Sequence, residues 1–131
     1  LVLNRVRLHL SIDGVFVVSM PNPYLLAGLL PEGENQIETT FPHPPSGDPV
    51  QVSSQWQCGL DEVTFIWHYD RLHPDGQVER ETLSVRHYLQ DLDDFLADFS
   101  DAGFKDVSVL GDYDHSEFNP QAPHLIVIAR A

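Results

Sequence analysis

The most regular pattern of hydrophobic and polar positions runs from Val63 to Tyr88, where Phe65, Trp67 and Tyr69 interleave with Thr64, Ile66, His68 and Asp70. Alternation carried by aromatic and β-branched residues is the pattern of a half-buried strand. A second such run follows His73-Pro74-Asp75-Gly76. Proline presets φ for an early turn position, and glycine accepts the positive φ that a tight turn demands. The stretch therefore predicts one long β-hairpin. With an even number of loop residues, Phe65, Trp67 and Tyr69 share a face with Arg80, Thr82, Ser84 and Arg86. The other face then carries Ile66, His68, Leu83, Val85 and His87. An odd loop swaps these assignments, because a slip of one residue reverses every side chain.

The same reading orders the rest of the chain. Leu1 to Leu10 fits a helical stripe through Leu3, Val6 and Leu10 or a strand through Val6, Leu8 and Leu10, and the helix is favoured because Asp13-Gly14 then turns it into a clear strand, Val15 to Met20. That strand is apolar at nearly every position, which predicts a place inside a sheet. Tyr24 to Leu30 predicts a short helix. Pro21 to Pro49 holds most of the prolines and reads as a long, weakly structured lid or wall. Val50 to Gln57 alternates as a strand and completes a three-stranded antiparallel meander with the hairpin. Leu92, Phe95, Leu96, Phe99 and Ala102 then recur at helical spacing, with Asp93, Asp94, Asp98 and Asp101 turned to water. Asp91 suits the N-cap and Gly103 the C-cap. Val107 to Leu110 and Leu125 to Ala129 are the closing strands. The fold class is α/β, or α+β taken over these residues alone.

Composition narrows the function. A chain of 131 residues suits a single domain, 1–131, with the meander at 50–88 as an insertion. The formal net charge is −13, and Lys105 is the only lysine. That balance argues against nucleic acid and anionic membrane as partners. It also suits a salt-rich cytoplasm. No apolar run approaches the roughly 20 residues of a membrane span. The lone Cys58 excludes an internal disulfide and fits a reducing, cytoplasmic setting. The seven histidines do not converge in this reading, so no metal site is expected. Cys58 has no basic neighbour in sequence to activate it. The hairpin carries the best candidate chemistry. Trp67 and Tyr69 give flat apolar area, and Arg80 and Arg86 stack on rings or clamp anions. His68 is the candidate general base.

The order of the elements resembles the C-terminal half of a class I S-adenosylmethionine-dependent methyltransferase. The pieces that carry the resemblance are LHLSIDGVFVVSMPNP, LDDFLADFSDAGFKDVSVLGDYD and APHLIVIARA. In that family a helix and a glycine turn precede the fifth strand. A later helix ends in Ala-Gly-Phe before the sixth, and a seventh, antiparallel strand closes the sheet. The hairpin WHYDRLHPDGQVER falls where many of these enzymes insert substrate-side elements. The resemblance implies a Rossmann-like sheet with an inserted meander and methyl transfer to a small molecule. Asn22 and Tyr24, which follow the fifth strand, join Trp67, Tyr69, Arg80 and Arg86 as substrate-side residues.

The family's glycine-rich cofactor loop and the acidic residue that holds the ribose have no counterpart here. No cofactor-binding residue is therefore carried over. The expectation is an inactive fragment of the parent enzyme that does not bind S-adenosylmethionine tightly. The fifth strand would lack a neighbour, which predicts a homodimer through Val15 to Met20 or through the hairpin. The alternative is a stand-alone acidic α+β binding or dimerisation module without catalysis.

Overall fold

A computed structural model describes residues 2–131. In chain order the elements are α1 (Val2–His9), β1 (Val15–Pro21), α2 (Pro23–Ala27), β2 (Glu32–Pro42) and β3 (Pro49–Cys58). They continue with β4 (Glu62–Leu72), β5 (Val78–Tyr88), α3 (Leu92–Asp101), β6 (Lys105–Leu110) and β7 (His124–Arg130). The chain divides into two compact units. One takes the chain up to Gly28 and again from Leu89 onward; the other is Leu29–Tyr88. The unit that holds the meander begins at Leu29, ahead of residue 50.

The first unit is built on a three-stranded antiparallel sheet in the order β1-β7-β6. The central strand β7 is apolar on both faces, and Leu125, Ile126, Val127 and Ala129 are buried. Phe99 and Phe104 complete the buried cluster, and Phe16, Val18 and Met20 of β1 pack against it. The Asp91 carboxylate accepts from the Asp93 amide at 2.9 Å and caps α3. At the other end the C-cap is Ala102, one residue before the expected Gly103. The Phe104 amide bonds back to the Phe99 carbonyl at 3.1 Å and that of Gly103 to Ser100 at 2.9 Å, which seals the last turn.

β1 departs from the pattern reading. It bonds only to β7 and is an edge strand, not an interior one. Its side chains alternate, with Phe16, Val18 and Met20 turned inward while Val15 and Val17 are exposed. Apolar residues on both faces report the sheet's chemistry, but they do not supply a neighbour. The unpaired edge is the one the family resemblance implies.

The second unit is a four-stranded antiparallel sheet in the order β2-β3-β4-β5. The expected meander is present as β3-β4-β5 and gains a fourth strand, β2, from the proline-rich stretch. The sequence hides β2 because it lies at the edge and is exposed along nearly its whole length. It therefore shows no hydrophobic alternation, and its register shifts twice, between Gly33 and Gln36 and between Ile37 and Thr39. Bulges and prolines are common devices on edge strands. Gly33 has a positive role here. A Cβ at this position would lie 2.3 Å from the Cδ2 and Cε3 atoms of the Trp56 indole, so the ring packs directly on the β2 backbone. Its Nε1 donates to the Leu30 carbonyl at 3.1 Å.

Candidate functional site

The hairpin loop decides which side chains share a face. Leu72 pairs with Val78, so five residues, His73 to Gln77, lie between the paired strands. The Gly76 amide bonds to the His73 carbonyl at 2.9 Å, and the His73 amide bonds to the Gln77 carbonyl at 2.8 Å. Gly76 has φ +85°. This is a turn followed by a glycine bulge, a common hairpin closure. The loop is odd, so the even-register assignment is reversed. Phe65 lies opposite Val85, Trp67 opposite Leu83, Tyr69 opposite Glu81 and Arg71 opposite Glu79. Thr64–Arg86, Ile66–Ser84, His68–Thr82 and Asp70–Arg80 form the other face. Arg80 and Arg86 therefore lie across the sheet from Trp67 and Tyr69, and the expected face of mixed aromatics and cations does not form.

Both arginines are also engaged. Arg80 donates from Nε and Nη2 to the two oxygens of Asp70, each at 2.6 Å. These bonds, with the charges of Arg80 and His68, hold the Asp70 carboxyl below its ordinary value despite partial desolvation. Arg86 reaches the Tyr88 hydroxyl at 3.5 Å and Glu62 at 3.5 Å. His68 meets Thr82 through Nδ1 at 2.9 Å. On this face the candidate base and the two cations are occupied by one another's neighbours.

The aromatic face carries a small cavity of about 170 Å³. Phe41 and Tyr69 form its apolar wall with Val50, while Glu79, Glu81, Arg71 and His43 supply polar groups. Arg71 is committed to Asp48, with Nε at 2.9 Å and Nη2 at 2.7 Å from Oδ2. The Ser46 hydroxyl donates to the same oxygen at 2.8 Å. The Ser46 hydrogen bond first, and then the Arg71 guanidinium, hold Asp48 below the usual carboxylate range. Glu79 meets His73 at 3.2 Å. Glu81 has no ion-pair partner among the described residues. Aromatic rings beside an unpaired carboxylate suit a hydroxylated or amine-bearing small molecule. The odd-loop alternative brings Tyr69 to Glu81 from sequence alone. Phe41 and His43 have no such signal, because β2 is not legible.

The two candidates in the first unit differ from each other. Asn22 is buried, its Oδ1 accepts from the Tyr24 amide at 3.0 Å, and its Nδ2 donates to the carbonyls of Asn119, Pro120 and Ala122 at 3.1, 3.3 and 2.7 Å. It caps α2 and ties down the loop before β7, so its amide is spent on structure. Tyr24 is 43% exposed, with its ring 6.2 Å from that of Phe118.

Among the described residues no group of three or more His, Cys, Asp or Glu is placed to hold a metal ion. No described helix is long and apolar enough to cross a membrane. A nucleotide crevice of the Rossmann type opens between parallel strands, at a glycine-rich turn leading into a helix. In the first unit every pair of neighbouring strands is antiparallel.

The architecture is that of the C-terminal half of a methyltransferase fold. No family model matches the chain, and no curated protein does. Solved structures do. An S-adenosylmethionine-dependent methyltransferase from Clostridium acetobutylicum superposes with a TM-score of 0.77 at 12% identity, over 98% of this chain and 48% of that one. DesVI from Streptomyces venezuelae gives 0.69 at 18% identity, over 97% and 48%. The sugar N-methyltransferase KedS8 from a Streptoalloteichus species gives 0.67 at 20% identity, over 98% and 47%. The chain spans about half the length of the structures it matches.

Proposed function

We propose that the chain is the substrate-recognition portion of an S-adenosylmethionine-dependent methyltransferase acting on a small molecule, and that by itself it does not transfer methyl groups. The observation that carries this reading is the near-complete superposition of the chain on half of several such enzymes. The cofactor belongs to the half without a counterpart here. The substrate contacts are assigned to the aromatic face, at the cavity walled by Phe41 and Tyr69 with Glu81 at its rim. A sugar amine suits this lining, because rings pack on sugar faces and a carboxylate accepts from ammonium or hydroxyl donors. Two of the matched structures are described as a sugar N-methyltransferase and an amino pentose methyltransferase, which agrees with that ligand class.

Saturation-transfer NMR on the chain with glucosamine, N-acetylglucosamine and glucose 6-phosphate tests the site. The amine is expected to give contacts that Tyr69→Ala and Glu81→Gln remove, and the phosphate to give none. Equal signals from all three, or signals indifferent to both substitutions, would refute the assignment.

A second reading is a stand-alone acidic α+β binding or dimerisation module without catalysis, in keeping with a net charge of −13. Sequencing the coding region upstream separates the two. A strand followed by a glycine-rich turn about a hundred residues earlier supports the enzyme, and an initiation codon beside Leu1 supports the module.

A further inference from the structure

We propose that the first unit carries a binding site for an arylalkylamine, built by Ser19, Asp112, Tyr113 and His124 at one edge of its sheet. β1 and β6 both pair antiparallel with β7, so they run parallel to each other and end on the same side. β7 starts on that side, at His124. Ligands of α/β sheets gather outside the carboxyl ends of the strands, and the four side chains lie at that edge.

The loop between β6 and β7 holds Asp112 and Tyr113 on a fixed frame. The His124 amide bonds to the Gly111 carbonyl at 3.0 Å, and the Gly111 amide bonds to the Ser116 carbonyl at 2.8 Å. Leu110 forms a β-bridge with Glu117. A Cβ on Gly111 would lie 2.8 Å from the Ala122 Cβ and from the Glu117 carbonyl oxygen, so the two limbs of the loop touch there. The three amide bonds of Asn22 anchor the far limb. Side chains on a frame of this kind keep their geometry without a ligand.

The frame leaves the groups of the cluster largely unspent. The Tyr113 and Ser19 hydroxyls share one hydrogen bond at 2.8 Å, which sets the phenol against β1. The tyrosine is 68% exposed, and its ring lies 5.0 Å from that of His124 at an angle of 57°. The two planes make a corner, and Val17, on the same face of β1 as Ser19, is exposed as well. Such a corner takes an aromatic ring edge-to-face or offset. Asp112 Oδ1 accepts from the Tyr113 amide at 2.7 Å. Among the described residues no Lys or Arg pairs with this carboxylate, and the His124 Nε2 stands 4.0 Å from it. A carboxylate beside aromatic faces attracts an ammonium. Asp114 and Glu117 share the loop, and the net charge is −13, so an anion is repelled. A ring and an ammonium joined by a short alkyl chain satisfy both halves of the site at once. The site is separate from the aromatic face of the hairpin and holds under either reading of the chain's function.

Residue-resolved proton–nitrogen NMR of the chain, titrated with phenethylamine, hydrocinnamate and ethylamine, is the test. Phenethylamine is expected to shift the amides of Asp112, Tyr113 and His124 saturably. Hydrocinnamate, which keeps the ring but carries a carboxylate, and ethylamine, which keeps only the ammonium, are each expected to bind about tenfold more weakly. Asp112→Asn and Tyr113→Leu are each expected to weaken phenethylamine by a similar factor. Tyr113→Phe keeps the ring and gives up only the bond to Ser19, and it is expected to retain most of the affinity. Amide shifts outside the loop report that each variant is folded. Glu81→Gln, in the other unit, is expected to leave the titration unchanged, so this site and the sugar-amine site succeed or fail separately. No saturable shift, equal binding of the three probes, or shifts centred on Tyr69 and Glu81 would overturn the proposal. So would binding that is indifferent to both Asp112→Asn and Tyr113→Leu, or that is lost with Glu81→Gln.

Discussion

Asp70 and Arg80 face each other across β4 and β5 and share two hydrogen bonds of 2.6 Å. The pair lowers the carboxyl's pKa and raises that of the guanidinium. A carboxyl whose pKa falls on folding contributes stability that is fully present above its unfolded value, about 4. That contribution is lost as pH falls through the folded value. Asp48 and Asp114 are lowered as well and act in the same direction. The melting temperature should be flat near neutrality and fall below about pH 4. Asp70→Asn should make that acid limb shallower. A melting series from pH 2.5 to 7 on both proteins checks this, and identical acid limbs would exclude the pair from the effect.

Asn22 joins α2 to the loop before β7 through one accepted and three donated hydrogen bonds. Asn22→Ala should cost about 1 kcal/mol for the lost cap and about 1–3 kcal/mol more for carbonyls left without a donor. Asn22→Asp should keep the cap yet be no better, since it sets an acceptor against acceptors. Urea unfolding measures both. A loss below 0.5 kcal/mol in the alanine variant would mean that water replaces the amide.

Gly33→Ala tests the contact between β2 and Trp56. The added methyl has no room beneath the indole, and overpacking of this kind costs about 1–3 kcal/mol. Trp56 should move, changing the near-ultraviolet circular dichroism. Trp56→Leu should recover part of the loss in the double variant, and simple additivity would show that the two residues are not in contact.

Phe99 is fully buried and touches the rings of Phe16, Phe95 and Phe104 at centroid distances of 6.1, 5.3 and 5.6 Å. Phe99→Ala should cost about 3–5 kcal/mol. Hydrogen exchange should locate the loss in β1, β6 and β7, with the meander retaining its protection. Uniform loss across both sheets would show that the two units unfold together.

Much of the first unit was legible in the sequence. Phe95, Phe99 and Ala102 mark α3, Asp91 marks its cap, and the apolar run from Leu125 to Ala129 marks a central strand. These features are local, and each needs only its own spacing. The hairpin strands were legible too, but their faces hung on a single residue, Gln77, which makes the loop odd. β2 was hidden because an exposed edge strand with bulges has no face to encode. The part played by Asn22 was hidden for another reason. Its partners lie about a hundred residues away, and nothing near Asn22 announces them.

The division of the chain also sets an order of events during synthesis. The meander is complete once Tyr88 has left the ribosome, and each of its strands pairs with the one before it. β1 is made far earlier, yet its only partner is β7, with Val15 set against Arg130. Pairings so distant along the chain form late. Between the completion of the meander and the appearance of β7, the nascent chain thus carries a finished four-stranded sheet while β1 still waits for β7. Over that interval the apolar side chains of Phe16, Val18 and Met20 lack the strand they pack beside in the finished unit.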